Sequence, residues 1–246
     1  MTSHTPFLSA LVLASSAFPA QLYRVGVAAT PDARPVASRV AATLRSAWLP
    51  VSFLLVAALA WYVAPVDGPV LPAAWWWYPL AVAVGLAAPA WEVAAGFGIA
   101  LVRRRRPVRV APHRRWGAGA SMVAAAVAVG VAEEVIFRGV GLSLLVRELG
   151  VPVAAAVALT AAVYGVNHLY FGGLTVAQKC VTGVVFGVLF VASGYRLAVP
   201  LLAHVAQNLL VSVGWPGVGR ASRGGQSGRA VVPDRSVAVG RVGHDR

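Results

Sequence analysis

Acidic residues are scarce in this chain: Asp and Glu number eight, against 21 Lys and Arg, in 246 residues. Charged residues of both signs make up 12% of the sequence, whereas a soluble domain carries about a quarter. Hydrophobic residues make up 59%, and the mean hydropathy is +0.73. The shortage of charge therefore argues against a soluble domain and indicates a membrane protein.

Cysteine and several common motifs are also missing. Cys180 is the only cysteine, which excludes an intramolecular disulfide and a cysteine-based zinc site. The sequence contains no dinucleotide-binding Gly-x-Gly-x-x-Gly, no Walker loop and no His-Glu-x-x-His. The last of these absences removes the standard helix of the zinc proteases.

Long apolar runs, by contrast, are frequent. A membrane helix needs roughly 20 apolar residues, and the segments that we predict to span a bilayer are 48–66, 75–101, 118–146, 151–168, 174–194 and 197–214. Segment 7–23 is shorter and lacks the basic n-region and the cleavage site of a signal peptide, so we interpret it as a weak first span. The sequence thus predicts an all-α fold, a polytopic membrane bundle of about six to seven transmembrane helices.

The basic residues lie between these apolar segments. Loop 102–117 holds seven Arg and no acidic residue, and residues 24–45 hold four Arg. The positive-inside rule places both in the cytoplasm, and the parity of the spans places the tail after Trp215 on the same side. Orientation and contact with anionic lipid of the bilayer therefore account for the net charge of +13, and we expect no nucleic-acid partner.

The chain divides into three parts by composition. Residues 1–117 hold the N-terminal membrane helices and the Arg-rich cytoplasmic loop, and residues 118–214 hold three polar clusters within apolar helices. Residues 215–246 are rich in Gly, Ser and Arg, which predicts a disordered cytoplasmic tail. Glu92, embedded in the segment 75–101, is either a functional acid or a partner in a hydrogen bond between helices.

The first polar cluster, AEEVIFRG at 132–139, ends a run made only of Met, Val, Ala and Gly. A charged residue at the centre of a bilayer costs about 2.5–3.5 kcal/mol, so its charges need partners. Glu134 and Arg138 lie four residues apart and can pair along one helix face. Glu133 points elsewhere, because successive helical residues are about 100° apart, and it is a candidate general base.

The other two clusters each place two polar or aromatic residues on one helix face. They pair Tyr164 with His168 and His204 with Asn208. A carboxylate with an imidazole can activate water, and an imidazole with a carboxamide can donate hydrogen bonds to an oxyanion. Counting about 1.5 Å per residue from the outer ends of the helices puts Glu133 and His168 at similar depth, about 20 and 25 Å, but His204 at only about 10 Å.

The three clusters together resemble the signature of the CAAX protease and bacteriocin-processing family of intramembrane proteases, in particular its type II CAAX prenyl endopeptidases. That signature is EExxxR, FxxxH and HxxxN on successive membrane helices. This chain reads EEVIFR at 133–138, YGVNH at 164–168 and HVAQN at 204–208, so that Tyr164 replaces the usual Phe. The resemblance covers residues 118–214, and it implies a catalytic membrane core.

The resemblance also implies what the core does. It implies an endopeptidase that hydrolyses membrane-associated protein or peptide substrates, with Glu133 and His168 activating water. His204 and Asn208 would stabilise the oxyanion, and Glu134 and Arg138 would support the site.

Metal dependence is open at this point. The family is labelled metalloprotease, and Glu133, His168 and His204 could hold zinc as a His2Glu set. We favour a mechanism without metal and predict no firm cofactor, because an Asn beside the second His is better used as an oxyanion donor.

Two other functions remain compatible with the sequence. A scaffold or a bacteriocin-immunity protein could use the same fold without chemistry. A transporter or proton channel could use embedded Glu and His as a proton relay, although the inverted repeats of many transporters are not visible.

Overall fold

The computed structural model describes residues 37–64, 70–72, 74–102 and 120–213, and these residues contain helices but no β-strand. The all-α prediction is therefore confirmed for this part of the chain. The predicted span 7–23, most of the Arg-rich loop and the tail 215–246 lie outside the described residues.

Six α-helices follow one another in the described residues: α1 Ala37–Val63, α2 Trp77–Val102, α3 Ala120–Glu134, α4 Val153–Val166, α5 Gly173–Ala192 and α6 Ala198–Val213. Each overlaps one of the spans predicted between residues 48 and 214. A 3-10 turn, Leu169–Phe171, connects α4 to α5.

Two segments, Trp77–Ile99 and Gly173–Ala192, are long and apolar enough to cross a membrane by length and composition. The shorter apolar segments are Ala47–Val63, Val153–Val166 and Ala198–Ser212. At about 1.5 Å per residue, a helix as short as α4 does not reach across a hydrocarbon core about 30 Å thick. The count of six to seven transmembrane helices therefore stays a prediction.

The helix α3 does not end at the acidic pair but changes its winding there. It continues as π-helix over Val135–Leu142 and again over Leu144–Glu148. In the last turn the Leu149 N–H donates to the Leu144 carbonyl five residues earlier, at 3.0 Å. π-Helical turns occur often at functional sites, and the first of these segments carries Arg138. The apolar run had predicted one regular helix over 118–146, so this change of winding was not predicted.

Small residues let the helices approach closely. A Cβ atom on Gly85 of α2 would overlap the backbone carbonyl of Ala203 on α6. A Cβ on Gly165 of α4 would likewise overlap the Cys180 sulfur on α5. Such contacts are typical of membrane helices, which gain stability from van der Waals packing rather than from hydrophobic burial.

The distribution of polarity is the reverse of that in a soluble domain. Leu55 on α1 is 62% exposed and Val188 on α5 is 53% exposed, whereas Glu134 and Arg138 are almost completely buried. An apolar exterior around buried charges is what a lipid environment favours. The bundle therefore collects its polar side chains in its interior, where α3, α4, α5 and α6 meet.

Candidate active site

The Glu134 carboxylate makes short contacts with two other side chains of the site. Its Oε1 accepts a hydrogen bond from Arg138 Nη1 at 2.8 Å and lies 2.7 Å from His204 Nδ1 on α6. The pairing of Glu134 with Arg138 is the one predicted from their spacing. The contact with His204 was not predicted, because nothing in the spacing of two separate helices specifies it.

Glu133 lies between two imidazole rings. Its Oε1 is 3.9 Å from His168 Nε2, and its Oε2 is 3.5 Å from His204 Nε2. Both distances are too long for a strong direct hydrogen bond, and a polar contact of this length can be bridged by water. The structure thus brings together Glu133, His168 and His204, one from each of the three clusters.

The tautomer of each imidazole follows from its second nitrogen. His168 Nδ1 lies 2.9 Å from the Tyr164 backbone oxygen, and His204 Nδ1 faces the Glu134 carboxylate. A carbonyl or an ionised carboxylate can only accept, so both Nδ1 atoms donate. In the neutral rings, therefore, both Nε2 atoms carry a lone pair on the side of Glu133.

The depth expected for His204 was wrong. The count along the helices put this residue about 10 Å above Glu133, yet their side chains are in contact. The count assumed that every helix starts at one level and that residues 134–148 rise as an α-helix. That stretch is π-helical, so the rise assumed for it does not apply.

Asn208 lies one turn beyond His204 and reaches α3 at a different point. Its Nδ2 donates to the Ala126 backbone oxygen at 2.9 Å. One amide hydrogen of this predicted oxyanion donor is therefore engaged between helices.

Gly130 makes this approach of α6 to α3 possible. A Cβ atom there would lie 2.8 Å from Asn208 Nδ2 and 3.4 Å from His204 Cδ2. Gly130 was not among the predicted site residues. Its position four residues before Glu134, and so on the same helix face, is the signal that could have found it.

Arg138 is buried and links the π-helix to α5. Its Nη2 donates to the Gly183 backbone oxygen at 3.2 Å, and its guanidinium carbon lies 4.8 Å from the centre of the Tyr164 ring. The charge of Arg138 is thus balanced by Glu134, by one carbonyl and by an aromatic face.

Glu92 forms a second polar cluster beside the first. Its Oε1 accepts hydrogen bonds from Lys179 at 2.8 Å, Thr182 at 2.7 Å and Gln207 at 2.9 Å, which joins α2 to α5 and α6. Of the two interpretations of Glu92, the structure shows the hydrogen-bonded one. The Lys179 ammonium is also close enough to interact electrostatically with Glu133 and His168.

The described residues include no group of three or more His, Cys, Asp or Glu that could hold a metal ion. The set Glu133, His168 and His204, which was considered for zinc, is therefore not arranged as a metal site.

Comparison with known protein families gives one match, over residues 115–210, to the family described as "Type II CAAX prenyl endopeptidase Rce1-like". The match supports the resemblance of this segment to the CAAX protease and bacteriocin-processing family. The matched segment runs through α3, α4 and α5 into α6 and contains all the predicted site residues from Glu133 to Asn208. No curated protein and no solved structure matches the chain.

The match supports a membrane-embedded hydrolase of the protease class. The helices α1 and α2 lie outside the matched segment. Glu92, which the structure joins to α5 and α6, therefore could not be found from the family pattern.

Replacing Gly130 by Ala tests the close approach of α3 and α6. We expect Gly130→Ala to displace Asn208 and break its bond to Ala126, with a loss of stability of about 1 kcal/mol, because hydrogen bonds between membrane helices have that size. Thermal unfolding in detergent measures the loss. Gly98→Ala is the matched control, since a Cβ on Gly98 has no atom within 4 Å. Equal unfolding temperatures for the two variants would contradict the packing role of Gly130.

The Glu92–Lys179 pair can be tested by a double-mutant cycle. We expect Glu92→Gln and Lys179→Met each to destabilise the protein, by less than the roughly 3–5 kcal/mol seen when one partner of a fully buried ion pair is removed. The double variant should recover part of this loss, because it leaves no unpaired charge. Unfolding of the four proteins in detergent gives the coupling, and strictly additive losses would show that the pair is not coupled.

Proposed function

We propose that the protein is an intramembrane endopeptidase that hydrolyses peptide bonds of membrane-associated protein or peptide substrates. The observation that carries the proposal is the position of the Glu133 carboxylate, 3.9 Å from His168 Nε2 and 3.5 Å from His204 Nε2. A carboxylate held at these distances from two imidazoles, inside an apolar bundle, is suited to bind and deprotonate a water molecule.

The reaction would begin at Glu133. A water molecule between Glu133 and His168 gives a proton to the carboxylate while its oxygen adds to the carbonyl carbon of the substrate. The tetrahedral intermediate then collapses and the C–N bond breaks. The proton held by Glu133 passes to the leaving nitrogen, so the products are a carboxyl group and an amine, and Glu133 regains its charge.

Two residues of α6 are proposed to stabilise the oxyanion. His204 is oriented by Glu134, and in its imidazolium form the Nε2–H can donate to the negative oxygen. Asn208 retains a second amide hydrogen besides the one bonded to Ala126. Glu134 and Arg138 act as positioning residues in this proposal, because Glu134 holds the ring of His204 and Arg138 joins Glu134 to the Gly183 carbonyl of α5.

The domain division and the orientation are part of the same proposal. Residues 118–214 would form the catalytic membrane core, and residues 1–117 would supply the N-terminal helices. The Arg-rich loop and the tail 215–246 would face the cytoplasm, with six to seven helices crossing the cell membrane.

Glu133→Gln should abolish turnover, with a loss on the order of 10²–10⁴-fold, because the amide cannot take the proton of the attacking water. The measurement is a proteomic comparison of the peptides released by membranes that contain wild-type protein or the variant. Glu148→Gln is the matched control, since Glu148 is exposed and ends the second of the two π-helical segments that continue α3. Unchanged peptide release by a folded Glu133→Gln protein would refute the role of Glu133.

The same comparison addresses the substrate. The description of the matched family names a CAAX prenyl endopeptidase, and in a CAAX tail the Cys four residues from the C-terminus carries the prenyl group. Hydrolysis after that Cys leaves the prenyl group on the membrane-bound protein and releases a short unmodified peptide. Enrichment of proteins that end in a prenylated Cys in wild-type membranes would assign this chain that substrate class, and their absence would point to unmodified membrane proteins.

Metal removal tests the proposed use of water without zinc. We expect activity to survive dialysis against a strong chelator, and elemental analysis to find no stoichiometric metal, because the carboxylate and imidazoles can move the proton by themselves. A loss of activity that zinc specifically restores would overturn this part of the proposal.

A non-catalytic scaffold is the second candidate, and one observation favours it. Asn208, assigned to the oxyanion, is bonded to Ala126 between two helices. In a scaffold, Glu133→Gln would leave the function intact, whereas Gly130→Ala, which alters helix packing, would impair it.

A further inference from the structure

Tyr164 lies at the centre of the proposed site and is completely buried. Its ring meets the His168 ring edge to face, with centroids 4.9 Å apart, and the Phe137 ring at 5.3 Å. The His204 ring is perpendicular to it at 6.3 Å. Tyr164 thus contacts both imidazoles that face Glu133.

The hydroxyl group of Tyr164 is not explained by packing. It is buried, and within the described part of the chain it has no hydrogen-bond partner. A buried hydroxyl without a partner destabilises the fold, and a Phe of the same shape would avoid that loss. The family signature has Phe at this position, so the hydroxyl is an addition that packing alone does not require.

The surroundings of the hydroxyl are charged rather than aliphatic. The phenol lies within electrostatic range of Glu133, Arg138 and Glu134. The ring is held in place, because the Arg138 guanidinium lies over it and the Gly183 backbone packs against it so closely that a Cβ there would lie only 3.2 Å from its Cδ1. A rigid phenol within electrostatic range of Glu133 can act as a preorganised donor.

We propose that the Tyr164 hydroxyl is a further catalytic residue, a hydrogen-bond donor to the oxyanion of the tetrahedral intermediate. This inference rests on the proposed function. As water adds to the carbonyl carbon and Glu133 takes the proton, the carbonyl oxygen becomes negative and accepts the hydrogen bond of the phenol. Tyr164 keeps its proton throughout, and the bond is released when the C–N bond breaks.

The two oxyanion donors proposed on α6, Asn208 and His204, do not by themselves complete the stabilisation of the oxyanion. Asn208 donates one amide hydrogen to Ala126, and His204 can donate through Nε2 only when its ring is protonated. A neutral phenol needs neither a change of protonation nor a change of partner. A preorganised donor of this kind is most effective where water is excluded.

Tyr164→Phe separates this role from packing. We expect kcat to fall by about 10²-fold with KM unchanged, because the lost bond exists only in the transition state. The unfolding temperature in detergent should stay the same or rise, since an unsatisfied buried hydroxyl is removed. The probe is a peptide released in the membrane comparison above, resynthesised with a fluorophore and a quencher on either side of the bond that is cut.

Two controls make the outcomes distinct. Tyr195→Phe removes a hydroxyl from the hairpin before α6, where the ring lies edge-on to Phe190 at 5.4 Å, and it should behave as wild type. Glu133→Gln is assayed on the same probe. Loss of activity in Glu133→Gln but not in Tyr164→Phe would overturn this inference and leave the proposed function standing.

The remaining outcomes also decide the question. If kcat and the unfolding temperature of Tyr164→Phe fall together, the hydroxyl is structural and the inference is wrong. If Glu133→Gln is fully active, or if wild-type membranes release no peptide that the variant does not, the proposed function and this inference fail together.

Discussion

One carboxylate oxygen, Oε1 of Glu134, connects the parts of this site. It accepts from Arg138 on its own helix and faces His204 on α6, at 2.8 and 2.7 Å. Removing charges from water is expensive, so a buried guanidinium and a buried carboxylate persist only as partners. Because Arg138 also reaches the Gly183 carbonyl of α5, this one oxygen ties α3, α5 and α6 together. The orientation of His204, and with it the environment of Glu133, depends on that shared contact.

The interior is organised as two adjoining polar clusters, one around Glu134 and one around Glu92. Gln207 and His204 lie three residues apart on α6, and each binds one of the two acids. The second cluster brings in α2, a helix outside the segment that matches the family. Polar groups in apolar surroundings must satisfy one another. Helix α2 is therefore held against α5 and α6 by the same constraint that holds the cluster around Glu134 together.

The proposed chemistry depends on differences between similar groups. Two neighbouring acids have separate surroundings, because Glu134 Oε1 makes short contacts with Arg138 and His204 while Glu133 makes only long contacts with two imidazoles. The imidazoles also differ, since one Nδ1 meets a backbone carbonyl and the other a carboxylate. Helix geometry alone separates the acids, as residues about 100° apart cannot face one neighbour. The division of roles follows from that rotation.

Much could be predicted without coordinates: the helical class from hydropathy, and the pairing of Glu134 with Arg138, because residues four apart share a helix face. The family resemblance rested likewise on local spacing. The sequence could not place His204 at the depth of Glu133, direct Asn208 to Ala126, or show that Gly130 makes room for both. Those relations depend on how the helices stack and on where the chain becomes π-helical. Both are determined by packing between residues that are far apart in the chain. Spacing within a helix is local geometry and is determined by the sequence itself, whereas contact between helices is a property of the assembled bundle.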